Sequence, residues 1–167
     1  MHPIVTTLCM VAVAIVSTPA KADDYPSRKA GLWEISLTLA GSAPQTKFCI
    51  DAATDAAMNK MGTENAGITC SRRDIVRSGA TVTVDSVCTM GQRTITTHMI
   101  AVFTGDTAYH TENKSHIEPP IAAGRPDSTT SQDARWVGPC PADMQPGDMV
   151  LPNGAKVNIV AAAKGGK

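Results

Sequence analysis

The chain of 167 residues predicts a mainly β (α+β) fold: an antiparallel meander curled into an open barrel or half-barrel, disulfide-stapled, with one short helix after strand two. Three observations support this prediction. Short segments alternate apolar and polar residues, which is typical of half-buried strands. Turn residues separate these segments at short intervals. Four cysteines follow an apolar N-terminal segment of the kind that directs export, and an oxidising compartment permits disulfides.

Residues 1–22 are predicted to be a secretory signal that is removed from the mature chain. The apolar segment from Ile4 to Val16 is long enough for the hydrophobic region of a signal and too short to span a bilayer. The Ala-Lys-Ala sequence at 20–22 fits a cleavage site, so cleavage is expected after Ala22. A secretory signal usually begins with positive charge, but the segment before Ile4 carries no Lys or Arg. The alternative interpretation is that the apolar segment forms a short buried helix of the mature fold. We expect a periplasmic protein with no membrane span after cleavage.

Two strands and a helix are predicted at the start of the mature chain. The segment from Gly31 to Leu39 alternates cleanly, and one face carries its large apolar residues: Trp33, Ile35, Leu37 and Leu39. That pattern predicts a half-buried first strand. A Gly-Ser-Ala-Pro loop leads to a second strand at about 45–50. Asp51 is a suitable N-cap for a helix that runs to about Met61 and stops at Gly62.

Four further strands are predicted at about 69–77, 80–89, 94–103 and 107–114. The third strand of the chain, at 69–77, carries charge on both faces, which indicates an edge strand kept soluble by its charged residues. The fifth places Met99 and Phe103 on one face and Ile100 and Val102 on the other, so we expect its end to be covered on both sides. Gly105-Asp106 predicts a two-residue hairpin turn before the sixth strand.

The rest of the chain predicts a loop, a hairpin and a tail. Residues 117–133 are rich in Pro, Ser, Thr, Asp and Gly without periodicity, which predicts a long surface loop, either functional or disordered. Asn153-Gly154, flanked by short apolar segments, predicts a final hairpin. The last residues, 161–167, are predicted to be a frayed tail. A single β-rich domain is therefore expected over 23–160.

The four mature cysteines allow three disulfide pairings, since Cys9 leaves with the signal. Cys70 and Cys88 flank a predicted hairpin with its turn at Ser78-Gly79, and a three-residue loop would place them opposite each other. This favours a Cys70–Cys88 disulfide and, by elimination, Cys49–Cys140. A metal site or a redox pair is the weaker interpretation, because no two cysteines have C-x-x-C spacing.

Composition limits the partners and the chemistry. The 15 basic residues balance the 15 acidic ones, and loss of Lys21 with the signal changes this little. Near-neutral charge argues against nucleic acid or an anionic membrane surface as the main partner. The sequence has no G-x-S-x-G elbow, no S-x-x-K and no phosphate-binding glycine loop. Carboxylates such as Glu34 and Asp85 are better explained as solvent-facing side chains than as a glycosidase pair. A non-enzymatic role without a cofactor is favoured.

The histidines and methionines give little support for a metal site. His110 and His116, six residues apart on an extended strand, are expected about 20 Å apart. A two-residue turn places His98 opposite Asn113 and on the other face from His110. One extra loop residue restores the common face but leaves these two histidines about four residues out of register. The methionines left after cleavage are scattered, which favours core packing over Cu(I) binding.

The amphipathic sheet favours a binding or interaction module with an apolar concave face. The candidate ligand-binding residues are apolar side chains of that face and one late tryptophan: Trp33, Leu37, Val84, Met99, Phe103 and Trp136. The expected partner is a small apolar ligand or a protein. For Trp136 the structural interpretation, that it closes the open face of the sheet, is favoured, and the alternative is that it lines a ligand groove. The alternative function for the whole protein is that of an envelope-stress or metal-handling accessory protein that uses Met and His side chains.

Several motifs share their order and spacing with a known family. They are G-L-W-E at Gly31–Glu34, Cys49 at the end of the second strand, Cys70 and Cys88 around a glycine turn, and W-V-G-P-C-P at Trp136–Pro141. With these features, and with its ending at 147–158, the chain resembles the small exported bacterial proteins of domain of unknown function 3617. The resemblance implies a periplasmic, mainly antiparallel β domain, and it implies no activity.

Overall fold

The computed structural model describes residues 25–38, 41–61, 67–121 and 124–165. The predicted signal at 1–22, Leu39 and Gly62 lie outside these residues. The described residues form nine strands and two helices. In chain order they are β1 (Gly31–Thr38), β2 (Gln45–Ile50), α1 (Ala52–Met61), β3 (Ile68–Ser78), β4 (Thr81–Met90), β5 (Arg93–Thr104), β6 (Ala108–Glu118), β7 (Asp127–Gly138), β8 (Asp148–Val150), β9 (Lys156–Asn158) and α2 (Ile159–Gly165).

One antiparallel sheet holds all nine strands, in the order β3-β4-β5-β6-β7-β1-β2-β8-β9. From β3 to β7 each strand pairs with its successor, which is the meander that the sequence predicts. β1 pairs with both β7 and β2, so the N-terminal hairpin follows the meander in space although it precedes it in sequence. The sheet does not close, and α1 follows β2. The predicted fold class is therefore confirmed.

Burial alternates along the strands and places the core on one face of the sheet. One buried cluster, on β1, β2 and β7, consists of Trp33, Ile35, Phe48, Ile50 and Ala134. The other, on β4 and β5, consists of Val82, Val84 and Ala101. Leu37 on β1 and Val84 on β4 line the same cavity although β5, β6 and β7 lie between them. The sheet therefore curls, and the core lies on its concave face.

The β3–β4 hairpin lies at one edge of the sheet, as the mixed charge of β3 predicts. It turns through two residues, because Ser78 pairs with Thr81. The predicted three-residue loop is wrong. The extra residue is instead Ser71, a bulge within β3 that brings Cys70 opposite Cys88.

Two disulfides join the cysteines of the described chain in the pairing that the sequence favours. Cys70–Cys88 links the two strands of the β3–β4 hairpin, with a sequence separation of 18. Cys49–Cys140 has a sequence separation of 91 and ties the segment after β7 to the end of β2. Cys49 is fully buried, so this disulfide is part of the core as well as a cross-link.

The β5–β6 hairpin turns through three residues, 105–107, because Thr104 pairs with Ala108. The predicted two-residue turn is wrong, and the additional loop residue moves the register by one. The predicted cover on both sides of β5 is also wrong. Ile100 and Val102 are 37% and 45% exposed. Both lie on the convex face, where the described residues provide no second layer.

The predicted loop at 117–133 is much shorter in the structure. β6 continues to Glu118 and β7 begins at Asp127, so the connection covers only 119–126. The first residues of β7 are polar on both faces and pair with the equally polar end of β6. Such a strand has no apolar alternation, so hydrophobic periodicity does not reveal it. Thr129 and Thr130 are β-branched, which is the strand signal that this segment does carry.

The C-terminal segment contains a hairpin and a short helix. β8 and β9 form the final hairpin that Asn153-Gly154 predicts. α2 follows directly and continues to Gly165, so the described residues of the predicted tail at 161–167 are helical. Asn158 caps α2, because its Oδ1 accepts a hydrogen bond from the Ala161 amide at 2.9 Å. Neither helix of the described residues has the length and apolar character needed to cross a membrane.

Candidate functional site

The concave face carries a groove formed by two adjoining cavities. The first, of about 330 Å³, is lined mainly by apolar and aromatic side chains, including Met58 and Phe103. The second, of about 400 Å³, is lined by hydroxyl and amide side chains together with Leu37 and Val84. Five residues line both cavities: Tyr25, Arg73, Met99, Thr111 and Gln132. The two cavities therefore form one groove, with an apolar end and a polar end.

Aromatic rings form the floor of the apolar end. The Tyr109 ring lies 5.9 Å from that of Trp33 and 5.5 Å from that of Phe103, measured between centroids. These tilted arrangements are favourable for aromatic pairs. The Tyr109 hydroxyl accepts a hydrogen bond from Gln132 Nε2 at 2.8 Å. The hydroxyl is thus held at the boundary between the apolar end and the polar end.

Arg73 is the charged residue that lines the polar end, and the other polar side chains there are uncharged. They are supplied by four successive strands of the meander: Ser86, Thr97, Asn113 and Thr130. Asn113 Nδ2 donates a hydrogen bond to Ser115 Oγ at 3.3 Å. Asn113 Oδ1 is buried and has no hydrogen-bond partner among the described residues. Because a buried polar atom usually has a partner, this acceptor is notable in the wall of the groove.

The N-terminal strap, residues 25–30, lies against the groove. Tyr25 packs against the Val82, Val84 and Ala101 cluster and contributes to both cavities. Burial raises the pKa of the Tyr25 phenol above its usual value, while the positive charge of Arg73 and a hydrogen bond to it oppose this rise. The phenol is therefore neutral near pH 7.

Both tryptophans of the chain hold the strap through their indole N–H groups. Trp33 Nε1 donates to the Lys29 carbonyl at 2.9 Å, and Trp136 Nε1 donates to the Ala30 carbonyl at 3.0 Å. The Lys29 ammonium lies 3.9 Å from the centroid of the Trp136 ring, a cation–π contact. The Lys29 amide donates to the Asp106 carbonyl at 2.9 Å. The strap is thus fixed to β1, to β7 and to the β5–β6 loop.

Gly31 makes this anchoring feasible. Its φ is +135°, a conformation that residues with a side chain rarely adopt. A Cβ at this position would overlap the Gly138 carbonyl and Trp136 Nε1. The G-L-W-E and W-V-G-P-C-P motifs therefore depend on each other, since the first supplies the space that the indole of the second occupies.

Helix α1 covers the apolar end and is joined to the strap by a buried ion pair. Asp51 caps α1 as predicted, because its Oδ1 accepts from the Thr54 amide at 2.7 Å. Arg28 Nε donates to Asp55 Oδ1 at 2.6 Å, and the Arg28 amide donates to Oδ2 at 3.1 Å. The two side chains are only 9% and 7% exposed. Arg28 also donates to Met58 Sδ at 3.5 Å, so one side chain connects the strap, the helix and the groove.

Four of the six predicted ligand-binding residues line the groove: Leu37, Val84, Met99 and Phe103. Trp33 lies beneath the groove in the core, and Trp136 lies at its end, where it holds the strap. The sequence pattern does not identify Tyr25, Arg28 or Met58 as groove residues. Their segments have no strand periodicity, and nothing in their pattern places them against the sheet. The Ala and Met content of α1, which suits a helix packed on a sheet, is the one usable signal.

The convex face carries three histidine–aspartate pairs between directly opposed residues of neighbouring strands. The Nδ1 to Oδ1 distances are 2.7 Å for His98–Asp85 and His110–Asp133, and 2.8 Å for His116–Asp127. The three rings are all about half-exposed. Nowhere in the described part of the chain do three metal-ligating side chains lie together.

Comparison with known proteins identifies one family. The family model described as "Protein of unknown function (DUF3617)" matches residues 28–140, from the strap to the second cysteine of the Cys49–Cys140 disulfide. No curated protein and no solved structure matches the chain.

Proposed function

Because this chain belongs to the DUF3617 family of proteins of unknown function, we propose a role from the geometry of its own groove. The protein is an exported, periplasmic and non-enzymatic binding module. It holds a small, mainly apolar ligand in the groove on its concave face. The apolar body of the ligand contacts Met99 and Phe103, and any hydroxyl or amide of the ligand reaches the polar end.

The continuous groove is the observation that carries this proposal. Its two cavities, of about 330 and 400 Å³, are each large enough for a small molecule, since ligand sites range from about 300 to 1,000 Å³. The polar lining consists of hydroxyls, amides and the Arg73 guanidinium, which orient a ligand through hydrogen bonds.

The walls of the groove are held in place without a ligand. The buried Arg28–Asp55 pair fixes α1 to the strap, and the two indole hydrogen bonds fix the strap to the sheet. Binding therefore requires little ordering of the protein, which favours affinity for a small ligand.

The uncharged fluorophore N-phenyl-1-naphthylamine provides a direct test. We expect saturable binding with enhanced fluorescence, because the dye enters an apolar site. Met99→Glu places a charge where the two cavities meet and is expected to weaken binding at least tenfold, about 1.4 kcal/mol. Ile100→Glu introduces the same charge on the next residue, which faces the convex side, and should leave the affinity within about twofold. Met99→Gln serves as a milder variant if Met99→Glu does not fold.

Absence of saturable dye binding to the folded protein would contradict the proposal. Equal losses in Met99→Glu and Ile100→Glu would also contradict it, because the dye would then bind outside the groove. Circular dichroism melting of each variant shows whether a loss of binding reflects unfolding.

Metal handling through methionine is the second candidate function. Met58 and Met99 line the same cavity, which is the observation in its favour, since thioethers bind Cu(I). The double variant Met58→Leu with Met99→Leu retains the apolar lining and removes both sulfurs. It separates the two functions: dye binding should persist, whereas any saturable Cu(I) binding within the groove should be lost.

A further inference from the structure

The convex face carries two histidines that the β5–β6 register brings together. We propose that His98 and His116 form a two-histidine site for Zn²⁺, with Asp85 and Asp127 as positioning residues. This site is independent of the groove, because it lies on the opposite face of the sheet.

The register of the β5–β6 hairpin determines which histidines are neighbours. His98 pairs with Lys114, and Thr96 pairs with His116. His98 and His116 are therefore diagonal neighbours on one face. Diagonal residues of an antiparallel pair have Cα atoms about 7–8 Å apart, which two imidazole rings can span. His110 shares this face, but its opposite residue on β5 is Val102, four positions from His98.

The aspartates orient the two rings toward each other. Asp85, on β4, holds His98 Nδ1 at 2.7 Å, and Asp127, on β7, holds His116 Nδ1 at 2.8 Å. β4 and β7 lie on the outer sides of the β5–β6 pair. The two nitrogens of an imidazole lie on opposite sides of the ring axis. A ring whose Nδ1 is held toward the outer strand therefore has its Nε2 turned toward the gap between β5 and β6.

The same hydrogen bonds select the tautomer that binds a metal. An ionised carboxylate only accepts hydrogen bonds, so Nδ1 carries the proton and Nε2 of the neutral ring keeps its lone pair. A metal-bound histidine usually donates its other ring N–H to a carboxylate or carbonyl, which orients the ring and increases its basicity. Both rings thus have the second interaction that a zinc ligand needs. Imidazole nitrogen favours Zn²⁺ over Mg²⁺ or Ca²⁺, and water completes the coordination.

Other charged residues surround the proposed site. Lys114 lies directly opposite His98, and its ammonium opposes cation binding. Its long flexible stem allows the charge to turn away into solvent. Asp85 and Asp127 contribute two negative charges beside the rings. Asp74, the convex-face residue opposite Asp85, is paired with Arg72 and adds little net charge. The local balance therefore favours a divalent cation.

Zinc titration of the purified protein tests the proposal, with calorimetry for affinity and imidazole NMR for location. We expect one saturable site, with shifts of the His98 and His116 resonances. His98→Asn or His116→Asn should each weaken binding at least tenfold. His110→Asn is the matched control, since His110 also has an aspartate partner on the same face but no second histidine beside it. It should leave the affinity within about twofold.

The positioning role of the aspartates has its own readout. Asp85→Asn and Asp127→Asn should each weaken zinc binding about tenfold, as losses of second partners do at metal sites. The same variants should change the tautomer ratio of the facing histidine in zinc-free protein, which NMR of the ring nitrogens measures. Absence of saturable binding would overturn the proposal. So would equal losses in the His110→Asn control, or shifts of His110 as large as those of His98.

Discussion

The apolar and polar ends of the groove are formed by one sheet but are covered differently. At the apolar end the strap and α1 add layers to the concave face, and Trp33 and Phe48 are almost fully buried. At the polar end the same strands continue with Ser, Thr and Asn side chains. No further element of the described residues covers them there, apart from Tyr25 at the boundary.

This difference shows that the meander alone does not make a closed core. Each covering element comes from a segment outside β3–β7. The covered end should therefore contribute most of the stability, whereas the uncovered end should tolerate substitution and remain accessible to a ligand.

Loss of the Cys49–Cys140 disulfide is expected to give the largest effect. A cross-link stabilises a protein mainly by restricting its unfolded chain, and the gain grows with the length of the closed loop. The separation of 91 at Cys49–Cys140 corresponds to about 4.6 kcal/mol of free energy of unfolding. The separation of 18 at Cys70–Cys88 corresponds to about 3.2 kcal/mol. Urea unfolding of the two double alanine variants measures both. A larger loss at Cys70–Cys88 would reverse the comparison between the two ends.

Gly31→Ala should destabilise the covered end by about 3 kcal/mol or more, because a Cβ combines backbone strain with overlap at Gly138 and Trp136. Gly41→Ala is the control. Gly41 also has a positive φ, of +85°, but a Cβ there meets no atom within 4 Å. About 1 kcal/mol is expected for the control. Similar losses in the two variants would mean that backbone strain alone, and not the contact with Trp136, explains Gly31.

Asp55→Asn should lower the free energy of unfolding by about 3 kcal/mol, because it leaves the buried Arg28 charge without its counterion. The exposed pair between Arg72 and Asp74 gives the contrast, with side chains 61% and 58% exposed. Arg72→Gln should change stability far less, because solvent screens an ion pair between exposed side chains. If both variants lose the same amount in chemical denaturation, burial is not what makes the Arg28–Asp55 pair important.

The smallest effect is expected at the polar end. Thr97→Val should change stability by no more than about 0.5 kcal/mol, since its side chain faces the accessible part of the groove. Val84→Thr introduces a hydroxyl at a position only 5% exposed and should destabilise by about 2 kcal/mol. Thermal melting of the pair measures the difference. A loss in Thr97→Val as large as that in Val84→Thr would show that the polar end is also part of the core.

Much of the fold follows from the sequence because its strongest signals are local. The alternation from Gly31 predicts β1, Asp51 predicts the start of α1, and the charge of Thr69–Arg77 predicts an edge strand. Each of these elements can be predicted without knowledge of the rest of the chain. β7 escapes such reasoning, since its first half is polar on both faces and is held by pairing with β6 rather than by burial.

The candidate sites depend more on register than on composition. Leu37, Val84, Met99 and Phe103 could be assigned to the concave face because each lies on a strand with a clear alternation. The strap could not be assigned to this face from the sequence. Its attachment depends on the indole groups of Trp33 and Trp136, which are far apart in the chain. The neighbouring relation of His98 and His116 depends on one additional residue in the β5–β6 loop, and with a two-residue turn they would lie on opposite faces.

The position of β1 between β2 and β7 has a consequence for how the chain is made. β1 meets β2 soon after synthesis, but the Trp136 contact to Ala30 joins residues 106 positions apart. Pairings so distant in sequence form slowly. Until β7 pairs with β1, the β1–β2 hairpin presents an unpaired edge and an uncovered Trp33. This N-terminal hairpin is thus completed only when β7 is in place, and a chain truncated before β7 would expose the surface that chaperones and proteases recognise.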